Sequence, residues 1–152
     1  MARWRDLMEA APDFCGRVAA IFDARRHKTL ATLRKDGSPR VSGIETQFED
    51  GEVVIGMMPG SVKGDDVRRD SRIAVHCTSD DPPEGDPAGW RGDAKISGRA
   101  IEMPSTEKSE APSRRFRVAI EEVVITRIGD PADHLVIESW HDDKGFRLEK
   151  RF

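Results

Sequence analysis

The chain has 152 residues, of which 37% are hydrophobic and 35% are charged. This length predicts a single domain, 1-152, with a core of moderate size and a heavily ionic surface. The net charge of −3 gives no support for a protein that binds nucleic acid or a membrane surface. The first residues contain no long apolar run, so we expect no signal peptide, no membrane span and a reduced, cytoplasmic setting.

The sequence offers no pattern typical of a metal site or of nucleophilic catalysis. Cys15 and Cys77 have no CxxC spacing and no neighbouring histidine, so no metal site is predicted. Cys77 ends an apolar segment, and we interpret it as a small buried hydrophobic residue. The four histidines stand apart from one another, and we assign no catalytic residue.

Residues 1-26 are predicted to form an N-terminal helical lid. From residue 5 to residue 26, Val18, Ile21 and Phe22 recur at helical spacing, and Asp13 is a residue type that caps helices. We expect this helix to cover one end of a sheet.

Four strands are predicted in the next part of the chain. They cover residues 28–34, 40–48, 52–58 and 72–77. Turns at Gly37 and Gly51 join the first three, and turns this short require antiparallel neighbours. The second strand alternates Arg40, Ser42 and Ile44 with Val41 and Gly43, and neither face is uniformly apolar. Such a strand is either exposed or lines a polar site with one face.

The loop after the third strand carries groups that suit a phosphate. Ser61 supplies a hydroxyl, Lys63 a compact positive charge, and a short helix opening at Gly64 supplies backbone N–H groups. Asp65 and Asp66 follow at once. We expect these two carboxylates at a helix N-terminus to oppose a phosphate dianion.

Residues 79-92 are rich in proline, glycine and acidic side chains and are predicted to form a loop. Trp90 either anchors this loop or docks onto a partner or a ligand. Further strands are expected at 93–103, 116–128 and 134–140, with a bulge at Glu121-Glu122. Six or seven antiparallel strands with two or three short helices indicate a mainly β fold, a small closed barrel.

Five segments, taken in order, resemble the split β-barrel flavoproteins of the pyridoxamine 5′-phosphate oxidase-like group. The similarity is greatest to the actinobacterial branch of flavin- and deazaflavin (F420)-dependent oxidoreductases. The segments are ATLRKDGSPRVSGI, FEDGEVVIGMMPGSVKGDDVRRDSRIAV, DAKISGRAIEM, FRVAIEEVVITRI and VIESWHDDKGFR. The resemblance covers residues 14 to 148 and depends on the order of the segments. It implies a six-stranded antiparallel split β-barrel that forms a homodimer, with a flavin-type cofactor in each of two grooves between protomers.

The resemblance also implies cofactor-binding residues. It places five residues of the second strand beside the flavin or deazaflavin ring: Arg40, Val41, Ser42, Gly43 and Ile44. It places Met57, Ser61 and Lys63, followed by Gly64, at the ring edge, the ribityl chain and the phosphate. The resemblance places Trp140, Lys144 and Arg147 where they reach toward the cofactor of the other protomer.

The function implied is that of an FMN- or F420-dependent oxidoreductase acting on a small-molecule substrate. The family usually follows the loop lysine with a small or basic residue, an arginine and an asparagine, whereas this chain has Gly64-Asp65-Asp66. A binding protein with the same barrel and no catalytic flavin is therefore an open alternative. Two others are a haem- or biliverdin-handling protein, with His76 or His141 as ligand, and an interaction module built on residues 79-92.

Overall fold

The computed structural model describes all 152 residues as three α-helices, a single 3-10 turn and eight strands. The helices are α1 (Trp4–Ala10), α2 (Pro12–Asp23) and α3 (Val62–Arg69), and the 3-10 turn is Pro87–Gly89. The strands are β1 (His27–Leu33), β2 (Pro39–Glu49), β3 (Glu52–Met57), β4 (Arg72–Thr78), β5 (Asp93–Met103), β6 (Arg114–Ile128), β7 (Leu135–His141) and β8 (Gly145–Arg151). No helix has the length and apolar character needed to cross a membrane.

The strands form one antiparallel sheet in the order β3-β2-β1-β4-β5-β6-β7-β8, and β3 also pairs with β6. That extra pairing, with Ile55 opposite Phe116, closes β1 to β6 into a six-stranded barrel. Strand β6 is long enough to pair with two different strands, one on each part of its length. Its first residues pair with β3, and its residues from Glu122 onward pair with β7. The predicted mainly β, six-stranded antiparallel split barrel is confirmed.

A bulge in β6 follows from a close contact with β5. The register shifts between Ser97 and Gly98, which leaves Glu121 as the unpaired extra residue. A side chain at Gly98 would overlap the carbonyl oxygen of Ala119, so only glycine fits. The bulge predicted at Glu121-Glu122 is confirmed.

The N-terminal part of the chain is two helices, not the single helix predicted for residues 5–26. Helix α1 ends at Ala10, and the N–H of its C-cap residue, Ala11, donates to the Leu7 carbonyl oxygen at 2.7 Å. Pro12 then begins α2, because proline has no N–H to continue the first helix and its fixed φ suits a first turn. Asp13 is not the cap. It lies in the first turn of α2 and pairs with Arg17 at 3.3 Å.

The core lies inside the barrel and beneath the two N-terminal helices. Phe22 of α2 and Trp4 of α1 both pack on Phe48, with ring centroids 5.8 Å and 4.7 Å apart. Cys77 is buried as predicted, and its Sγ lies 3.4 Å from the Ile21 carbonyl oxygen.

The polar C-terminal residues form β8, a strand that the sequence analysis did not predict. Strand β7 has a free edge whose N–H and C=O groups need partners, and β8 supplies them through a turn in which Gly145 adopts a positive φ of 69°. Phe146 pairs with Trp140 and packs edge-on against Phe14, with centroids 5.3 Å apart. Pairing with β7 and this contact fix a segment whose composition alone suggests a mobile tail.

Candidate functional site

Strand β2 presents different residues to the two sides of the barrel wall. Ile44 is buried in the core, and Arg40 and Ser42 lie on the same inner side. Val41, which is 71% exposed, and Gly43 lie on the outer side. The predicted alternation is confirmed, and it divides the five predicted β2 site residues between the barrel interior and the outer surface.

Two glycines leave the outer surface of β2 and β3 flat. No atom lies within 4 Å of the position that a Cβ would take at Gly43 or at Gly56, and both residues are exposed. Gly56 and the 78% exposed Met58 border an open depression of about 280 Å³, and Gly43 lies on the same face of the sheet. We call this surface the outer groove; its further lining residues include Glu45, Gln47, Val54, Ser113 and Arg115. Ligand pockets usually measure about 300–1,000 Å³, so this depression is close to the lower end of that range.

Lys63 lies beside this groove in the first turn of α3. Its Nζ donates to the Gly43 carbonyl oxygen at 2.8 Å, which joins two predicted site residues that are distant in sequence. Lys63 forms no ion pair with any carboxylate of the chain, although it is half-buried. An ammonium group has three donors, so two remain for a ligand.

Ser61 and Gly64 build the start of α3. The Ser61 Oγ accepts the Gly64 N–H at 3.1 Å, the usual arrangement of a helix N-cap. A Cβ on Gly64 would lie 2.6 Å from Nη1 of Arg114, which packs across the first turn. The Gly64 N–H is therefore already used by the cap, while the Ser61 hydroxyl keeps its own O–H to donate.

Asp66 points into the protein, not toward the groove. Its side chain is 3% exposed and accepts hydrogen bonds from Thr32 at 2.8 Å, Arg40 at 2.7 Å and Arg69 at 2.9 Å. Burial acts to raise the pKa of Asp66, but the bonds from Arg40, Arg69 and Thr32 outweigh it and hold the pKa below its ordinary value. Two arginines thus neutralise the Asp66 carboxylate inside the protein, and it is not a free charge at the helix N-terminus. That the two acids oppose a phosphate stays a prediction.

The other charges around α3 are paired in the same way. Asp65 is exposed and pairs with Arg114 at 2.9 Å, and Arg115 pairs with Glu49. The arginines near the groove are thus held by carboxylates of the same chain. Lys63 is the cation beside the groove that has no such partner.

Of the remaining predicted residues, only Met57 lines the outer groove, although most of its side chain is buried in the core. Trp140 is buried in the core and does not line the groove. Lys144 and Arg147 are exposed on the β7–β8 hairpin, at the opposite end of the strand order from β3. One chain therefore brings together Val41, Gly43, Ser61 and Lys63, and separates them from the hairpin residues.

Several groove residues were missed from the sequence. Gln47 and Gly56 could have been found, because strict alternation along β2 and β3 puts them on the same face as Gly43. Arg115 could not, because it reaches the groove only through the β3–β6 pairing that closes the barrel. No local pattern signals that pairing.

The two histidines considered as haem ligands lie on different strands. Nε2 of His76 is 3.4 Å from Asp93, and Nε2 of His141 is 3.5 Å from Glu122. The cavity next to His141, about 450 Å³, is lined mainly by carboxylates; its residues are Ser97, Glu121, Glu122, His141, Asp142 and Asp143. An acidic cavity repels the propionates of haem, so no observation at these histidines favours haem binding.

No known family model matches this chain, and no curated protein matches it. Several solved structures, however, match this chain. PhzG from Burkholderia lata 383, in complex with tetrahydrophenazine-1-carboxylic acid, superposes with a TM-score of 0.67 at 14% identity, over 99% of this chain and 96% of PhzG. A pyridoxamine 5′-phosphate oxidase-related, FMN-binding protein from Nostoc punctiforme superposes with a TM-score of 0.63 at 12% identity, over 100% of this chain and 98% of the other.

A third neighbour is the protein Atu2129 from Agrobacterium tumefaciens, whose function is unknown. It has a TM-score of 0.57 and 21% identity over 76% of this chain, and the chain spans 57% of its length. At these identities the similarity concerns the fold. The chain has the split-barrel fold of the pyridoxamine 5′-phosphate oxidase-related proteins, and the resemblance identified from the sequence is confirmed at that level.

Proposed function

We propose that the protein is a homodimeric oxidoreductase that binds FMN or the deazaflavin F420 in the outer groove. The ring would lie on the surface formed by Gly43 and Gly56, and the phosphate would be held by Lys63 and the Ser61 hydroxyl. Support from the fold comes from the Nostoc neighbour, which is described as binding FMN.

The observation that carries the proposal is the position of Lys63. Its Nζ is tethered to the Gly43 carbonyl oxygen and has no carboxylate partner, so it offers charge-assisted hydrogen bonds beside a flat surface. A planar ring system needs such a surface, and side chains on Gly43 or Gly56 would occupy it. The residues present therefore fit a ring with a phosphorylated chain.

A second copy of the chain would complete the groove. Val41, Met58 and Val62 are large apolar residues exposed in or beside it, and a partner protomer would bury them. The hairpin residues Lys144 and Arg147 are free to extend from that partner. The cofactor supplies hydride-transfer chemistry, while the two chains orient it and exclude water.

One observation favours the alternative of a binding barrel without a catalytic flavin. Arg40, Arg69 and Arg114, which lie in or beside α3, are all paired with carboxylates of the chain. A phosphate would then meet a single free cation. The two functions differ in whether a flavin or deazaflavin binds at all.

The deciding experiment is the absorption spectrum of the purified protein, followed by separate titrations with FMN and F420. Lys63→Ala should weaken binding by about 10- to 100-fold, the worth of a charge-assisted hydrogen bond of about 1.5–3 kcal/mol. Lys35→Ala is the matched control, since Lys35 is an exposed lysine of the β1–β2 turn. A protein with no visible band and no binding of either compound at tens of micromolar is not a flavin enzyme.

The position of the ring is tested separately with Gly43→Val. Because the site has open space and β-branched residues suit strands, this variant should stay folded. It should nevertheless lose cofactor affinity, because the side chain occupies the surface on which the ring lies. Unchanged affinity places the ring elsewhere, and a monomer by light scattering at micromolar concentration removes the homodimer from the proposal.

A further inference from the structure

A second cavity, of about 370 Å³, lies between α2, the β6–β7 pair and the loop after β4. It shares no residue with the outer groove. We call it the arginine cavity, because Arg17, Arg91 and Arg127 all line it. Its volume falls within the usual range for small-molecule sites, about 300–1,000 Å³.

The cavity carries more positive than negative charge. Glu138 is its one carboxylate and is buried. It accepts two bonds from Arg17, at 2.6 Å and 2.8 Å, and a third from Nε of Arg127 at 3.0 Å. Arg17 and Arg127 therefore occupy both oxygens of Glu138, and the cavity lining holds three guanidinium groups and one carboxylate.

Donors remain free on this surface. Arg127 uses only its Nε, so both of its Nη groups lack an acceptor within the protein. Arg91 has one distant partner, the Asp80 carboxylate at 3.4 Å. Guanidinium groups with two unused N–H donors on one edge match the two oxygens of a carboxylate.

The rest of the wall is apolar and partly aromatic. Ala20 and Ile21 of α2 form one side, and the half-buried Trp90 forms another. The indole N–H of Trp90 donates to the Asp80 carbonyl oxygen, which fixes the orientation of the ring. A fixed aromatic wall beside free guanidinium groups suits a flat apolar body that carries a negative charge.

We propose that the arginine cavity binds a small planar carboxylate, with the carboxylate on Arg127 and Arg91 and the apolar body against Trp90. This gives the loop of residues 79-92 a ligand-binding role that the outer groove does not require. The site is formed within one protomer and stands independently of flavin binding.

The test uses 2-naphthoate as the probe and 2-naphthamide as its neutral counterpart. Both are titrated to millimolar concentration into the ¹⁵N-labelled full-length chain at low salt, and the indole N–H of Trp90 and the side-chain Nε–H of Arg127 are followed by NMR. We expect saturable shifts with naphthoate and binding of the amide that is about ten-fold weaker or more.

Arg127→Gln should weaken naphthoate binding to a similar extent while leaving Glu138 paired with Arg17. Arg151→Gln, an exposed arginine of β8, is the matched control. Should Arg127→Gln not fold, Arg91→Gln serves instead, since the only ion-pair partner of that side chain is Asp80. Absence of shifts at Trp90, equal binding of acid and amide, or an unchanged affinity in the folded arginine variant each overturns the proposal.

Discussion

Asp66 is the buried carboxylate that fixes α3 to β1 and β2. Its oxygens accept from Thr32 of β1, Arg40 of β2 and Arg69 of α3 itself. Asp66→Asn keeps the size of the side chain and removes its charge. Two arginines then face each other around a neutral amide, whose NH2 group cannot accept their hydrogen bonds.

The cost of this change follows from the burial of the three groups. Removing one partner of a fully buried ion pair costs about 3–5 kcal/mol. Arg40 and Arg69 are 27% and 37% exposed, so water partly solvates them once the carboxylate charge is gone. We therefore expect a loss at the lower end, about 3 kcal/mol. For a chain of 152 residues this corresponds to a fall in Tm of about 9 °C.

The assay is urea unfolding followed by tryptophan fluorescence, with Asp65→Asn as the control. Asp65 lies on the same helix and is 59% exposed, so its pair with Arg114 should contribute about 0.5 kcal/mol. Equal destabilisation by the two substitutions would refute the assignment of Asp66 as an interior anchor. The pKa of Asp66 is lowered on folding, so its contribution is present above pH 3.8, its ordinary value, and is lost as pH falls through the folded pKa.

Two further substitutions test the bulge and the arginine cavity. Gly98→Ala should cost about 3 kcal/mol in urea unfolding, because the new methyl group overlaps the β6 backbone, whereas Gly43→Ala on the open face should change stability by less than about 0.5 kcal/mol. Similar losses for both glycines would contradict this. The hydrogen bonds from Arg17 hold the pKa of Glu138 below its ordinary 4.5, against burial. The stability contributed by Glu138 is thus present above pH 4.5 and is lost as pH falls through the folded pKa. In Glu138→Gln the free energy of unfolding should therefore fall less steeply at acid pH. An unchanged dependence of that free energy on pH would argue against the pairing.

The fold could be predicted because its signals are local. Turns at Gly37 and Gly51 fix antiparallel pairing of β1, β2 and β3, and alternation along β2 assigns each residue to a face. The break at Pro12 was also visible in principle, since proline begins helices more readily than it continues them. Strand β8 was not visible, because its residues are mostly polar and pairing with β7 defines it.

The candidate site was predicted only in part, because its charges are set by contacts between distant segments. Lys63 and Ser61 were found from the residue types in one loop. The partners of Asp65 and Asp66 come from β2, from β6 and from one turn farther along α3. From their positions at a helix N-terminus, both acids are predicted to be exposed. In the structure, the turn of the helix places Asp66 on its buried face.

These ion pairs also determine how α3 would respond to a cofactor. Arg40 and Arg69 hold the helix through Asp66, and Ser61 caps it, so the loop that carries Lys63 is positioned without any ligand. A preorganised loop lowers the entropic cost of binding, but the same pairs withhold two arginines from a phosphate. Amide exchange in α3 should therefore be equally slow with and without FMN. Strong additional protection of α3 on adding FMN would instead mean that the ligand, and not Asp66, orders this helix.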